Sequence, residues 1–478
     1  MLQHDRLFIG GEWVAPAGAG TIDVVSPHTE EVVGRVPDAT PADMDRAVAA
    51  ARRAFDEGPW PRMTMAERAE VVGRLADLYA ARQSELAELI TLEMGSPITF
   101  SQLAQAPQPL GMLRYFAELG KTYAVEDQRP GMFGPVTVRR EPVGVVAAVV
   151  PWNVPQFVIM TKLAPALIAG CAVVVKPAPE TPLDGYLLAQ MIEEAGFPEG
   201  VVSIVAAGRE TSEYLVSHPG VDKVAFTGST AAGRRIASIC GQGLKRCSLE
   251  LGGKSAAIIL DDCDLGAAMG FLSIASLLNS GQACVAQTRI LAPASRYDEV
   301  VHAVADMVAG QPVGDPGDPA TGIGPMVAKR QQERVEGYIK LGVDEGAKPV
   351  LGGLDRPFDR GWYVAPTVFA GVSNDMRVAR EEIFGPVLVV ISYQDEDDAV
   401  RIANDSEYGL SGTVWTADTE HGMDIARRVR AGTYGVNMLN TMEPATPFGG
   451  FKASGLGREL GPEGLESYLE LKSIARLG

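Results

Sequence analysis

The sequence predicts an α/β protein built from two largely parallel sheets that follow one another along the chain. Short, continuous apolar runs carry the first part of that expectation: Val143–Val150, Ala172–Val175, Val201–Val205 and Val221–Phe226. Runs without polar alternation belong to strands covered on both faces. Helical patterns lie between them, at Leu183–Ala195 and Ser212–Ser217, and strands alternating with helices read as βαβ units. The same texture begins again after Gly253. Its strand candidates are Ala256–Leu260, Thr288–Leu291, Val387–Ile391, Gly412–Trp415 and Thr433–Val436.

Before these units, the first 120 residues read as helical after a short, polar, β-like start. Thr40-Pro41-Ala42-Asp43 and Thr64-Met65-Ala66-Glu67 each have the form of a capping box, and amphipathic periodicity follows each. Val136–Arg140 and Tyr468–Ile474 are strand-like but fit neither sheet, and such free strand edges suit pairing between subunits. Gly and Pro cluster around 310–325 and 349–366, which reads as loops.

Composition narrows the function. The chain has 478 residues, 46% hydrophobic and 21% charged, with a net charge of −18. That length sets a prior of two or three domains. The acidic balance and the lack of a basic block argue against nucleic acid or an anionic membrane as partner. The longest apolar stretch, Leu163–Val175, is broken by Pro165 and Gly170 and falls short of a membrane span. The first residues have no long apolar segment of a secretory signal. Five cysteines without CxxC spacing argue against a disulfide framework or a zinc site and fit a reducing cytoplasm.

Cys284, in Asn279-Ser280-Gly281-Gln282-Ala283-Cys284, stands in a small, polar turn some thirty residues after Glu250-Leu251-Gly252-Gly253-Lys254. A thiol and a carboxylate are what covalent catalysis at a carbonyl needs, a nucleophile and a base. Asn153, in Pro151-Trp152-Asn153-Val154-Pro155, follows a strand directly, where a side-chain amide can donate to an oxyanion. Lys176 ends the next strand, within reach of a ribose or phosphate. Phe226-Thr227-Gly228-Ser229 joins a strand to a helix N-terminus, a place for a diphosphate, although the glycine spacing is not that of the usual dinucleotide fingerprint. Glu381-Glu382-Ile383-Phe384-Gly385-Pro386 precedes a further strand, and Pro447-Phe448-Gly449-Gly450-Phe451-Lys452 reads as a tight loop with aromatics. Taken singly, each of these also fits a capped turn, a solvated lysine or a core aromatic.

Their order is specific. PWN, KP, FTGST, ELGGK, GQAC, EEIFGP and PFGGFKASGLGRE, in that succession, resemble the NAD(P)-dependent aldehyde dehydrogenase superfamily over essentially the whole chain. The resemblance implies two Rossmann-like α/β domains plus a small β oligomerisation arm. The cofactor-binding domain would comprise 1–123 and 143–252, the catalytic domain 253–453, and the arm 124–142 and 454–478. It implies a homodimer or homotetramer.

Residue by residue, Cys284 matches the family nucleophile, Asn153 the oxyanion donor and Glu250 the base that activates water against a thioester. Lys162 and Glu459 match a pair proposed to relay protons. Val150, Trp152, Lys176, Glu180, Gly208, Thr227, Gly228, Ser229, Leu251, Glu382 and Phe384 match cofactor contacts. Val154, Phe157, Thr161, Leu278, Val285, Met442 and Phe448 match the substrate pocket. That lining is apolar and has no arginine to clamp an anion, which points to an aliphatic, aromatic or terpenoid aldehyde. Thr161 stands where several members carry a tryptophan, which argues against an aromatic box for a quaternary ammonium.

One departure concerns the cofactor. Many NAD-preferring members place a glutamate three residues after the strand-end lysine, where this chain has Pro179, with Glu180 next. NAD is the expected cofactor, with NADP tolerated. Two other readings are a CoA-acylating relative, which usually lacks the base at Glu250, and an inactive structural relative, which would lack the thiol, base or amide.

Overall fold

The structure is a computed structural model and describes residues 1–439 and 442–477. Its first sheet has eight strands in the spatial order Gly455–Leu456, Arg246–Glu250, Lys223–Thr227, Val145–Val149, Ala172–Lys176, Val202–Ile204, Leu7–Ile9 and Glu12–Val14. The five from Arg246–Glu250 to Val202–Ile204 are parallel, and antiparallel strands close both edges. From Val145–Val149 the chain moves outward through Ala172–Lys176 and Val202–Ile204. It then returns to the other side of its starting strand with Lys223–Thr227. In an open parallel sheet, that reversal leaves a crevice beyond the carboxyl ends of the two inner strands, where ligands bind. The turns that follow those strands are Trp152-Asn153 and Gly228-Ser229.

The second sheet has seven strands, in the order Lys348–Leu351, Thr367–Ala370, Val387–Tyr393, Arg289–Pro293, Ala256–Ile259, Gly412–Trp415 and Gly435–Val436. Only Lys348–Leu351 runs antiparallel to its neighbour. Thr367–Ala370 is a buried strand that the Gly/Pro texture around it hides at the sequence level. Both boxes at Thr40 and Thr64 cap helices, Pro41–Asp56 and Met65–Ala81. Leu183–Ala195 is helical over the span that its pattern predicts.

The two strand-like segments outside the sheets pair with each other. Val136–Pro142 lies between Glu126–Arg129 and Leu469–Ala475 in an antiparallel three-stranded sheet. The segment after 454, assigned to the arm by resemblance, also contacts the first sheet. Gly455–Leu456 hydrogen-bonds to Leu249 and Glu250 in the first sheet, and Leu460, Leu465 and Tyr468 are buried in the first sheet's core. Apolar burial, rather than sequence proximity to the last strand, decides where this segment belongs. The polar β-like start contains a further three-stranded sheet, Leu2–Gln3, Val32–Pro37 and Thr21–Val25. Among the described residues, no helix is long and apolar enough to cross a membrane.

Candidate active site

A cavity of about 480 Å³ opens at the switch point of the first sheet. It brings together residues far apart in sequence: Asn153, Glu250, Cys284 and Glu459, with Trp152, Thr227, Gly228, Ser229, Leu251, Glu382 and Phe384 on one side and Val154, Phe157, Leu278, Val285, Met442 and Phe448 on the other.

Local backbone geometry presents the thiol. Asn279, Ser280 and Gly281 take positive φ in succession, at 54°, 61° and 74°, so the chain turns sharply out of the helix Leu265–Leu277. Asn tolerates this region better than most residues because its short polar side chain bonds locally. Here the Asn279 amide donates to the Asn153 carbonyl at 2.7 Å. The Gln282 side chain secures the far side, accepting from Val327 N–H at 3.0 Å and donating to the Pro325 carbonyl at 3.3 Å. Gly253 lets this loop approach the Glu250 strand, because a Cβ there would lie 2.4 Å from the Cys284 carbonyl oxygen.

Cys284 is partly buried, and its thiol is pushed up to about 12, chiefly by burial and then by the charges of Glu382 and Glu250. It therefore needs a proton acceptor to become a nucleophile. Glu250 ends the strand Arg246–Glu250 and is 3% exposed, yet neither carboxylate oxygen has a hydrogen-bond partner in the protein. Burial first, and Glu459 second, raise its proton affinity well above the ordinary carboxylate range, with Lys162 opposing. Gly449, at φ 150°, makes room for it, since a Cβ there would lie 2.6 Å from Glu250 Oε1. A buried carboxylate with high proton affinity is suited to take a proton from a thiol or water. Asn153 is buried and donates its amide to the Gln282 carbonyl at 3.0 Å. That contact uses one of the two amide hydrogens and leaves the second for an oxyanion.

Lys162 does not line the cavity. It is fully buried behind it, 2.6 Å from Glu459 Oε1 and 2.6 Å from Thr227 Oγ1. Thr161 also lies outside the lining, contrary to the expectation for it. It is fully buried, and its hydroxyl returns to the Val158 carbonyl at 3.0 Å, because its position on the helix Pro155–Ala169 faces the core.

Four expected cofactor residues sit beyond the cavity wall. Val150 donates its N–H to the Lys176 carbonyl at 3.2 Å, which joins two adjacent strand ends. Lys176 is buried and pulled down to about 8, by burial against the countering charge of Glu180. Gly208 caps the helix Arg209–Ser217 and donates to Asp38 at 3.1 Å. Glu180 forms an ion pair with Arg330.

The residues present suit a dinucleotide. Ser229 caps the helix Thr230–Gly243, whose N-terminus faces the crevice. Glu382 accepts from Gly253 N–H at 3.0 Å, stands on the cavity wall and is raised to about 7, by burial first. It is placed to accept from ribose hydroxyls. Trp152 and Phe384 meet edge to face at 5.4 Å.

Residues 13–474 match the model of the aldehyde dehydrogenase family. The chain belongs to the aldehyde dehydrogenase family. As such it is an oxidoreductase that oxidises aldehydes with NAD(P)+. Geranial dehydrogenase of Castellaniella defragrans is 50% identical over the full length of both chains. An aldehyde dehydrogenase from Mycobacterium tuberculosis in complex with NAD+ superposes at a TM-score of 0.98, with 49% identity, covering 100% of this chain and 99% of that one. A cysteine-to-alanine variant of aldehyde dehydrogenase C from Pseudomonas syringae, in complex with NAD+ and octanal, superposes at 0.95 with 42% identity, covering 98% and 96%.

Some residues of this aldehyde dehydrogenase's site are not assigned by sequence reasoning. Arg330, Gln331 and Arg334 line the cavity from the helix Lys329–Asp344, Phe100 and Gln105 from the segment before the helix Pro107–Thr122, and Gln108 from the first turn of that helix. The charged, amphipathic text of 329–344 reads as a solvated helix, so no sequence signal marks those residues. Both arginines contact residues expected to hold the cofactor: Arg330 pairs with Glu180, and Arg334 bonds to the Glu382 and Ile383 carbonyls.

Proposed function

We propose that this enzyme oxidises medium-length and long apolar aldehydes, branched isoprenoid aldehydes among them, to the carboxylic acid with NAD+. The shape of the apolar side of the cavity carries this reading. Phe100, Gln108, Leu278, Val285 and Met442 also line a second cavity of about 680 Å³, walled further by Leu103, Ile274 and Leu277. A hydrocarbon tail can pass from the thiol into that outer space without meeting a fixed charge other than Glu443 at its rim. Each CH₂ removed from water there is worth about 0.8 kcal/mol. Full-length identity of 50% to a geranial dehydrogenase supports the same substrate class.

In the proposed reaction, Glu250 takes the thiol proton as Cys284 attacks the aldehyde carbon. The Asn153 amide and the Cys284 backbone N–H hold the oxyanion of the thiohemiacetal. Bound NAD+ supplies the hydride acceptor that allows the thiohemiacetal to become a thioester. Trp152, Lys176, Ser229 and Glu382 would hold the cofactor. Glu250 passes the thiol proton to solvent, and the carboxylate so regenerated draws a proton from water for hydrolysis, while Lys162 and Glu459 tune it from behind. The presence of Glu250 disfavours a CoA-acylating role.

The arm sheet supports assembly into a homodimer or homotetramer, with exposed Leu471 and Ile474 on its outer strand. Five free cysteines support a cytoplasmic location. The test is NAD(P)H formation across an aldehyde series. The expected result is that kcat/KM rises from acetaldehyde through octanal to geranial and falls for succinic semialdehyde and betaine aldehyde. Preference for either charged aldehyde would overturn this reading of the pocket.

A further inference from the structure

Outside the cavity lining, three helices are joined by three fully buried polar side chains, Glu93, Gln156 and Asp184. Glu93 lies in the last turn of the helix Gln83–Met94. Its Oε2 accepts from Leu183 N–H at 2.8 Å, and its Oε1 accepts from Asp184 N–H at 3.0 Å. Those residues open the helix Leu183–Ala195, which has no side-chain cap from its own N-cap residue, Pro182. A carboxylate at that place satisfies two free amides and faces the positive end of the helix.

Asp184 carries the tie further. Gln156 Nε2 donates to Asp184 Oδ2 at 3.0 Å and to the Asp184 main-chain carbonyl at 3.1 Å. A main-chain carbonyl can only accept, so the nitrogen end of the Gln156 amide must face it. Burial raises the proton affinity of Asp184, and the Gln156 amide is the largest influence opposing that rise.

Gln156 is the second residue of the helix Pro155–Ala169, whose start has no side-chain cap and whose first residue has no N–H. Much of the site hangs on this one turn. Asn153 stands three residues before Gln156, and Phe157 and Val158, directly after it, line the cavity. Asn153 is fastened to the cysteine loop through Asn279 and Gln282. Gln156 fastens the other end of the same turn to the helix that follows residues 176–182. That segment carries Lys176 and Glu180, both expected to meet the cofactor.

We propose that Gln156 and Asp184 are positioning residues for the oxyanion donor. By tying the first turn of the helix Pro155–Ala169 to the helix behind the cofactor segment, they set the direction in which Asn153 presents its second amide hydrogen. Glu93 in turn holds the main chain of Asp184. The proposal rests on the reading of Asn153 as that donor. Neither Gln156 nor Asp184 lines the cavity, so each acts through Asn153 rather than on the substrate. A donor to an oxyanion works only when held at hydrogen-bond distance from the place where the charge develops. A small displacement therefore costs rate more than binding.

Gln156→Met nearly keeps the shape of the side chain and removes its donor. NADH formation in the first turnover, measured well below Tm, should slow roughly tenfold, while the Kd for NAD+ stays within about twofold. Tm should also fall, because Asp184 loses a donor in a buried place. Combining Gln156→Met with Asp184→Leu removes both polar partners, and should restore Tm without restoring the rate. A rate that recovers together with Tm would make the contact merely structural and overturn the proposal, and so would an unchanged rate in Gln156→Met. Where Gln156→Met does not fold, the double variant decides by the same rate. Asn153→Ala separates the two readings. At the wild-type rate, it would overturn the assignment of the oxyanion donor. If it is slow while Gln156→Met is not, the tie alone is overturned.

Discussion

The side-chain amide of Asn279 reaches the main-chain carbonyl of Asn153 at 2.7 Å, while the Asn153 amide reaches the Gln282 carbonyl at 3.0 Å. The loop that presents the thiol and the turn that presents the oxyanion donor thus hold each other in place. Asn279→Gly permits the left-handed backbone and removes the side chain's hydrogen bonds, to the Asn153 carbonyl and, at 3.5 Å, to the Gln282 carbonyl. It should lower kcat by roughly tenfold to a hundredfold, as for loss of alignment in an oxyanion site, with a smaller change in KM. Steady-state kinetics check this. An unchanged kcat would mean that Asn153 is positioned without Asn279.

Removing the nucleophile and removing the base should have different kinetic signatures. Cys284→Ala should leave less than about 1% of turnover, several kcal/mol of barrier, while retaining cofactor binding. Glu250→Gln loses the acceptor for both the thiol and the water proton, so NADH formation in the first turnover and the steady rate should both fall. Rapid mixing separates the two, and an undiminished burst would confine Glu250 to hydrolysis.

Glu250 must be ionised to accept a proton, and its raised proton affinity places the acid limb of the kcat profile above the ordinary carboxylate range. Glu459 raises that affinity and Lys162 lowers it. Glu459→Gln should therefore move the acid limb to lower pH, and Lys162→Met should move it to higher pH. Profiles of kcat against pH in both variants provide the check. A purely structural ion pair would slow both variants without moving either limb. Loss of stability is also expected, because each substitution leaves the other member of a buried pair uncompensated.

The cofactor choice rests on the loop after Lys176. Pro179 cannot repel a 2′-phosphate, and the Glu180 charge is matched by Arg330. NAD should be preferred over NADP by less than about tenfold, the scale of one screened charge. Pro179→Glu should widen that preference, and so should Arg330→Ala, which leaves Glu180 uncompensated. The ratio of kcat/KM for the two cofactors measures it. No change in either variant would remove the loop from cofactor choice.

Much of this site is legible in sequence because its parts sit where local patterns are strongest. Asn153, Lys176, Thr227 and Glu250 all follow or end strands that read as unbroken apolar runs or lie beside one. The Lys162–Glu459 contact spans 297 residues and has no local signature, so only family resemblance suggests it. Thr161 lies outside the cavity lining because resemblance supplies a position but not the direction that a helical side chain faces. Asn279 was visible in the cysteine turn, but its left-handed backbone and its reach to Asn153 are products of tertiary packing. Thr367–Ala370 is four residues long within Gly/Pro-rich text, too short for periodicity to register.

The pairing of Gly455–Leu456 with the strand that ends in Glu250 has a bearing on how the enzyme is made. That strand leaves the ribosome some two hundred residues before the segment that covers its outer edge. At 5–20 residues per second, the delay is on the order of 10 to 40 s. Through that interval the growing chain carries an open β-edge and a core still lacking Leu460, Leu465 and Tyr468, a template for pairing with other chains. The cofactor half of the molecule, although first in sequence, is among the last parts to close, and crowding of nascent chains should reduce the yield of soluble enzyme more than instability of the finished fold does.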